Sequence, residues 1–401
     1  MPIDNVYLTA AAWVGLALLA SLVSIRFGVS VALIEIGVGV VAGNSIGLAT
    51  HEWIDFLAGF GAVLLTFLAG AEIDPASLRR HLRISLAIGV LSFAAPFGAA
   101  FAFAYFVAGW QLNAALICGA ALSTTSVAVV YAVMIESGLA QRELGKIILA
   151  ACFITDLGTV VALGLFFANY NGTLLVFIAL TAGVLLILPR LAALAATHLA
   201  GRVSEPEIKL LFLVLFGLGG LAQLAGSEAV LPAYLAGLTV AGVFLRHRLV
   251  VERMRAIAFS LLTPFYFIKA GLLVSLPAMI GGAGLIAALL AVKIGAKVVG
   301  VWPTARLLGM PRREANYTTL LMSTGLTFGT ISALYGFNNG HIDQAAYTVL
   351  VTVVILSAVV PTLIATTFFQ PRAVGRAEIE DIEAAEEIDA GPVPRPRLDE
   401  P

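Results

Sequence analysis

Long hydrophobic runs, separated by short polar segments, follow one another along almost the whole chain. A helix that crosses the hydrocarbon core of a membrane needs about 20 mainly apolar residues. Thirteen runs come near this length, and the pattern predicts thirteen membrane-spanning helices. The predicted spans cover residues 6–25, 29–47, 53–71, 84–108, 112–136, 145–168, 173–197, 208–225, 228–245, 258–278, 281–306, 315–336 and 345–369.

Charged residues alternate between the loops that join these spans. If the first loop is cytoplasmic, the loop lysines and arginines fall in the odd-numbered loops, and the even-numbered loops contain only acidic charges. Cytoplasmic loops are enriched in Lys and Arg, so we expect the N-terminus outside and the C-terminus in the cytoplasm of a cell (inner) membrane protein. The basic residues are Arg26, Arg79, Arg80, Arg83, Arg142, Lys146, Arg202, Lys209, Arg246, Arg248, Arg253, Arg255, Arg312 and Arg313.

The composition supports the same class of protein. The chain is 60% hydrophobic and 12% charged, whereas soluble domains are about half apolar and about a quarter charged. No signal peptide is predicted, because the N-terminus lacks a basic region and a small-residue cleavage site. The segment 371–401 is acidic and contains prolines, which predicts a disordered cytoplasmic tail where a soluble regulatory subunit could dock.

Outside the loops and the tail, a few ionisable residues are predicted to lie at depth in the membrane: Glu35, Asp156, Lys269, Lys293 and Lys297. A charge in the middle of a bilayer costs at least about 2.5–3.5 kcal/mol, so such a residue indicates a functional site by default. The competing interpretation is an ion pair that only joins helices. For Glu35 both remain open, because it could line an ion pathway or pair with Lys269.

Several polar groups are predicted to meet Asp156 at one depth. Asp156 lies near the middle of the sixth span, and residues 124–126 lie near the middle of the antiparallel fifth span. Gly325 lies near the middle of the twelfth span. Lys293 and Lys297 flank the middle of the eleventh span and are four residues apart, so they share a helix face. These groups form a candidate site.

Two of these spans contain stretches that suit interrupted helices, "GAALSTTSV" and "STGLTFGT". Small-residue helix packing is the competing interpretation. Broken helices in corresponding positions of two inverted repeats indicate the binding site of a transporter, and the fourth and eleventh spans run in opposite directions. The residues predicted at the breaks are Ser123, Ser126, Ser323, Thr324 and Gly325.

These features together resemble the monovalent cation:proton antiporters, the sodium or potassium/proton exchangers, including the Kef-type branch. The resemblance covers about residues 6–370. The segments that carry it, in chain order, are "IEIGVGVVAG", "LTFLAGAEIDPASLRR", "ALSTTSVAV", "FITDLGTVV", "FYFIKAGLLVSL" and "AKVVGVWPTARLLGMPRREA".

The resemblance implies an all-α fold with inverted repeats and two crossed, broken helices. It implies a dimerisation part at about 1–83 and 208–278, a mobile core at about 84–168 and 281–370, and a linker helix at about 173–197. The ion-binding carboxylate of the family maps onto Asp156 and its lysine onto Lys297. The ligands from the broken helix map onto Thr124 and Thr125.

The sequence departs from the family pattern at three positions. Thr155 precedes Asp156, where many members have Asp, Asn or Gln. Leu326 follows Gly325, where several members have Glu. Lys269 stands where a small or apolar residue is expected. These departures concern the choice of ion and the stoichiometry.

The predicted function is exchange of Na⁺ or K⁺ for protons across the membrane by a homodimer, with an alkali cation or a proton at Asp156 and a role in pH homeostasis. A single acid favours electroneutral exchange, but release of a proton from Lys297 would make it electrogenic. A cation channel and a membrane sensor are the alternatives. No enzyme activity, cofactor or nucleic acid is predicted, because the histidines lie at loops or span ends and phosphate-loop and zinc motifs are missing.

Overall fold

The computed structural model describes residues 5–27, 30–45, 48, 50–71, 73, 79–137, 139, 142–167, 172–199, 202–225 and 229–371. Within these ranges the chain forms helices joined by turns, and no strand occurs. Of the predicted tail, 371–401, only residue 371 is described. The prediction of a disordered tail therefore lies outside the described residues.

The helices follow the predicted spans closely. In the first half of the chain they are α1 (Val6–Phe27), α2 (Val31–Ser45), α3 (Glu52–Ala71), α4 (Leu82–Ala102), α5 (Leu112–Ser123), α6 (Val127–Glu136), α7 (Glu143–Phe166) and α8 (Gly172–His198). In the second half they are α9 (Pro206–Leu224), α10 (Val230–Phe244), α11 (Arg248–Ile257), α12 (Thr263–Leu272), α13 (Leu276–Gly281), α14 (Ala283–Leu307), α15 (Arg312–Met322), α16 (Thr327–Asn338) and α17 (Gln344–Ile364).

The described residues contain ten helical segments that are long and apolar enough to cross a membrane. The shorter apolar helices α2 and α10 coincide with the second and ninth predicted spans. A π-helical turn at Ala258–Leu262 and helix α12 coincide with the tenth. The predicted all-α membrane fold is confirmed, whereas the count of thirteen spans stays a prediction.

The loop predicted before the tenth span is helical instead. Helix α11 covers this basic segment, and Val250 and Met254, four residues apart, are buried on one side of it. Arg253, on another side, forms an ion pair with Glu205. The loop prediction missed this amphipathic helix, because a helix can carry charged residues on one face while apolar residues on the opposite face are buried. The π-helical turn that follows α11 ends just before Pro264. Proline has no backbone N–H, so Pro264 cannot donate a hydrogen bond to a carbonyl of this turn.

The turns lie at two ends of the helix bundle. At one end, Asn44 Nδ2 donates to the Val274 carbonyl at 2.8 Å, and Gln344 Nε2 donates to the Leu273 carbonyl at 3.3 Å. We call this the acidic end, because the predicted loops on this side contain only acidic charges. It includes the turns 108–111, 273–275 and 339–343. The basic end includes the turns 202–205, 245–247 and 308–311.

The helices pack as two groups. The first group contains α1–α3 and α9–α12, with α8 packed against α9 and α10. The second group contains α4–α7 and α14–α17. Helix α7 contacts α10 across the boundary, and the short helix α13 packs against α17. The predicted dimerisation part, mobile core and linker helix stay predictions.

The apolar cores of the two groups merge only in part. One large cluster of buried side chains contains residues from both groups, mostly from the halves of their helices toward the acidic end. Three further clusters stay within one group each, and the smallest of them lies between α8 and α9. Helix α7 contributes Val160 to the shared cluster and Ile148 to that of the second group. Helix α10 contributes Tyr234 to the shared cluster and Phe244 to that of the first group.

Candidate functional site

The two predicted interruptions are present in the second helix group. Helix α5 ends at Ser123, residues 124–126 are not helical, and α6 begins at Val127. Thr124 is extended, at φ −63° and ψ 157°. Helix α15 ends at Met322, and α16 begins only after residues 323–326. A broken helix exposes unpaired backbone groups in the middle of a membrane, which is tolerated where protein groups satisfy them or a cavity is lined.

The two breaks satisfy each other's backbone groups. The Thr125 hydroxyl donates to the Met322 carbonyl at 2.9 Å, and the Ser126 N–H donates to Thr324 Oγ1 at 3.3 Å. All of these residues are buried. The hydroxyl residues of the two predicted stretches therefore join the crossing point of the broken helices.

Asp156 lies on α7 and is only 1% exposed. Its Oδ1 has no hydrogen-bond partner among the described residues. The neighbouring Thr155 faces another direction, because its hydroxyl lies 3.0 Å from the Ala151 carbonyl and 3.3 Å from the Gly89 carbonyl of α4. A role for Thr155 as an ion ligand stays a prediction, but its hydroxyl proton already has backbone acceptors.

Lys297 connects α14 to the first break. Its Nζ donates to Ser92 Oγ at 2.8 Å, to the Ser123 carbonyl at 2.9 Å and to Thr125 Oγ1 at 3.1 Å. The Ser123 carbonyl belongs to the C-terminal end of α5, where a cation is favoured by the helix dipole. Lys297 interacts electrostatically with Asp156, but no ion pair joins the two side chains in the described part of the chain.

Lys293 reaches the second break instead. It is fully buried, and its Nζ has no hydrogen-bond partner in the described residues. A Cβ added at Gly325 would lie 2.2 Å from Lys293 Nζ, 2.9 Å from Thr124 Oγ1 and 3.3 Å from Ser357 Oγ. The amine and the two hydroxyls therefore surround Gly325, and a side chain at this position would have to displace the Lys293 amine.

We expect Gly325→Val to destabilise the protein by about 1–3 kcal/mol, because the added side chain overpacks a buried site. The matched control is Gly295→Val on α14, since a Cβ at Gly295 meets nothing within 4 Å. The unfolding temperature of the purified variants in detergent measures the effect. Equal losses at both positions would contradict a close packing around Gly325.

One residue at the site was missed by the sequence reasoning. Tyr234 of α10 is 1% exposed, and its hydroxyl donates to the Phe153 carbonyl of α7 at 2.9 Å, one helical turn before Asp156. The one available signal was a phenol within an apolar span, since a buried tyrosine hydroxyl usually has a hydrogen-bond partner.

The two remaining charged candidates lie in the first group, away from the breaks. Lys269 Nζ pairs with Asp55 Oδ1 at 2.7 Å, so the proposed pairing of Lys269 with Glu35 is wrong. No pattern along the chain indicated that the tenth span lies against the start of the third. Glu35 is 2% exposed on α2. Its role in an ion pathway stays a prediction.

The donor set at the breaks consists of oxygen atoms and amines. The described residues contain no group of three or more His, Cys, Asp and Glu that could hold a metal ion. A carboxylate, hydroxyls and backbone carbonyls are hard ligands, which suit an alkali cation better than a soft metal. A multi-spanning helical fold in which two broken helices meet beside a buried charge is typical of secondary transporters.

The chain belongs to the sodium/hydrogen exchanger family. Residues 14–370 match the family described as "Sodium/hydrogen exchanger, transmembrane". The protein is therefore a multi-pass integral membrane protein, and the family is one of transporters rather than enzymes. The resemblance inferred from the sequence motifs is confirmed.

Curated relatives agree with this family. The chain is 23% identical over 333 residues to the probable Na(+)/H(+) antiporter 3 of Methanocaldococcus jannaschii, covering 80% of this chain and 85% of that protein. It is 24% identical over 367 residues to the Na(+)/H(+)-K(+) antiporter GerN of Bacillus cereus, covering 87% and 93%. It is also 27% identical over 350 residues to the glutathione-regulated potassium-efflux system protein KefC of Salmonella typhi, covering 82% and 55%.

A solved structure has the same fold. The sodium proton antiporter MjNhaP1 of Methanocaldococcus jannaschii superposes with a TM-score of 0.68, covering 91% of this chain and all of that chain, at 14% identity. At this identity the likeness concerns the fold alone.

Proposed function

We propose that the protein exchanges a monovalent cation, Na⁺ or K⁺, for protons, and that Asp156 binds the two in turn. The observation that carries this proposal is the buried Asp156 carboxylate, whose Oδ1 lacks a hydrogen-bond partner in the described residues. Its helix, α7, contacts both broken helices. A buried carboxylate without such partners is costly, and this cost favours a group that works by binding a ligand.

Competition at one carboxylate couples the two ions. A proton and a hard cation bind the same oxygen lone pairs, so the site holds one or the other. The hydroxyls of Thr124 and Thr125 and the backbone carbonyls at the break could complete an oxygen shell. If the site crosses the membrane only when it is loaded, strict exchange follows. With Asp156 as the single acid, we expect one proton for each cation.

Alternating access would move the second helix group against the first. In this proposal the first group forms a homodimer interface in the cell membrane, and α8 links the two groups. The basic end would face the cytoplasm, where a soluble subunit could dock on the tail. The protein would then serve pH homeostasis.

The test is a proton/cation exchange assay in everted membrane vesicles, with Na⁺, K⁺ and Li⁺ supplied in turn. We expect at least one cation to release protons from acidified vesicles, at a rate unaffected by a clamped membrane potential if exchange is electroneutral. Cation flux without proton movement would favour a channel. Cation binding without flux of either ion would favour a sensor. Either outcome would overturn exchange.

A further inference from the structure

The boundary between the two helix groups is closed toward the acidic end. There the groups share one apolar core, whereas toward the basic end each group has its own. Burial of apolar surface between two bodies holds them together roughly in proportion to its area. Access to Asp156 from the acidic end therefore requires this shared core to separate.

Tyr234 lies on this boundary at the depth of the ion site. It belongs to α10 of the first group, and its hydroxyl donates to the Phe153 carbonyl of α7 in the second group. Its ring also packs edge-on against Phe328 of α16, with the ring centroids 6.3 Å apart. A single side chain from the first group thus contacts the helix that carries Asp156 and one of the broken helices.

A second contact continues the closure toward the acidic end. A Cβ built at Gly164 of α7 would lie 2.7 Å from Leu231 Cδ2 and 3.7 Å from Leu231 Cβ of α10. At another place along the boundary, the Tyr347 hydroxyl of α17 donates to the Ala270 carbonyl of α12 at 2.7 Å. Helix α10 therefore touches α7 at two levels, and a hydrogen bond between α17 and α12 closes the same end.

We propose that Tyr234 is a positioning residue: it holds α7, and with it Asp156, against α10 in the state closed at the acidic end, and this contact opens once in each exchange cycle. The inference rests on the proposed exchange function. The hydrogen bond from Tyr234 to Phe153 favours the closed state, and its loss shifts the balance toward the state that is open at the acidic end.

A disulfide across the boundary tests the opening. In Gly164→Cys/Leu231→Cys the two Cβ atoms would be 3.7 Å apart, which suits a disulfide. We expect oxidation to block exchange and reduction to restore it. Cys118 and Cys152 are free and buried, so both stay in place.

The matched control is Gly219→Cys/Ala229→Cys, with a Cβ separation of 3.8 Å. It joins α9 to the residue before α10, within the first group and two positions from Leu231. We expect oxidation to leave its exchange rate unchanged. Undiminished exchange by the fully oxidised 164/231 variant would overturn the inference. Absence of exchange in the parent and in both reduced variants would instead count against the proposed function.

A second test needs no transport. Val160 and Val130 are both fully buried in the second group, but only Val160 belongs to the shared core. We expect Tyr234→Phe to raise the rate at which a methanethiosulfonate reagent labels Val160→Cys by about fivefold, the equivalent of about 1 kcal/mol for one hydrogen bond.

The labelling rate of Val130→Cys should not change when Tyr234→Phe is added, since Val130 is away from the boundary. A merely structural role of Tyr234 would raise labelling at both positions, together with a lower unfolding temperature. Such a parallel rise, or unchanged labelling at Val160→Cys, would refute the role of Tyr234.

Discussion

Asp156→Asn is expected to abolish proton-coupled cation exchange and to leave the protein folded. Asparagine has nearly the shape of aspartate, but it has no charge to attract a cation and does not bind a proton in the physiological range. Because Asp156 Oδ1 lacks a hydrogen-bond partner in the described residues, its replacement should change the stability by no more than about 1 kcal/mol. Exchange in everted vesicles and the unfolding temperature measure the two effects.

The control for Asp156 is another buried carboxylate. Glu207 on α9 is 3% exposed and lies in the first group near the basic end, with Oε1 3.9 Å from Arg253. Glu207→Gln also removes a buried charge, and it should keep the exchange rate of the parent. If Asp156→Asn kept full exchange, the shared ion and proton site would have to lie elsewhere.

The two buried lysines of α14 are expected to respond very differently to methionine. Lys297 Nζ makes three hydrogen bonds that tie α14 to α4 and to the first break. We expect Lys297→Met to lower the stability by about 2–4 kcal/mol, because the Ser123 carbonyl and two hydroxyls lose a charged donor. Most of the exchange activity should be lost with it, since Lys297 interacts with Asp156.

Lys293→Met provides the comparison on the same helix face. Its amine lacks hydrogen-bond partners in the described residues and is fully buried. Replacing such an amine with an apolar side chain of similar length should cost less than about 1 kcal/mol, or stabilise the protein. Thermal unfolding of the two variants in detergent separates the cases. A larger loss for Lys293→Met would contradict the assignment of Lys297 as the lysine that secures the break.

The membrane fold was predictable because each helix that crosses a bilayer needs a long apolar run, and such runs are visible in the sequence. The two helix breaks were predictable for a related reason. Unpaired backbone in a membrane needs nearby hydroxyls or small residues, and residues 123–126 and 323–325 supply them. Helix α11 was not predicted, because a segment rich in arginine is typical of a loop. The signal for a helix was the spacing of Val250 and Met254, which places both on one face.

The side-chain partners at the site were less predictable, because they depend on how the helices rotate and cross. The depth of Asp156 followed from the sequence, but the direction of Thr155 toward α4 did not. The pairing of Lys269 with Asp55 depends on the contact of α12 with α3. Tyr234 reaches α7 only because α10 packs against it, and no spacing along the chain indicates that contact.

The mutual bonding of the two breaks has a consequence for biosynthesis. Thr125 and Met322 are separated by 197 residues, so the first break enters the membrane long before the translating ribosome supplies its partner. Until then its backbone groups must be satisfied by water or by the insertion machinery. The N-terminal half alone should therefore be a poor folding unit, and the membrane site should become complete only as the last spans are inserted.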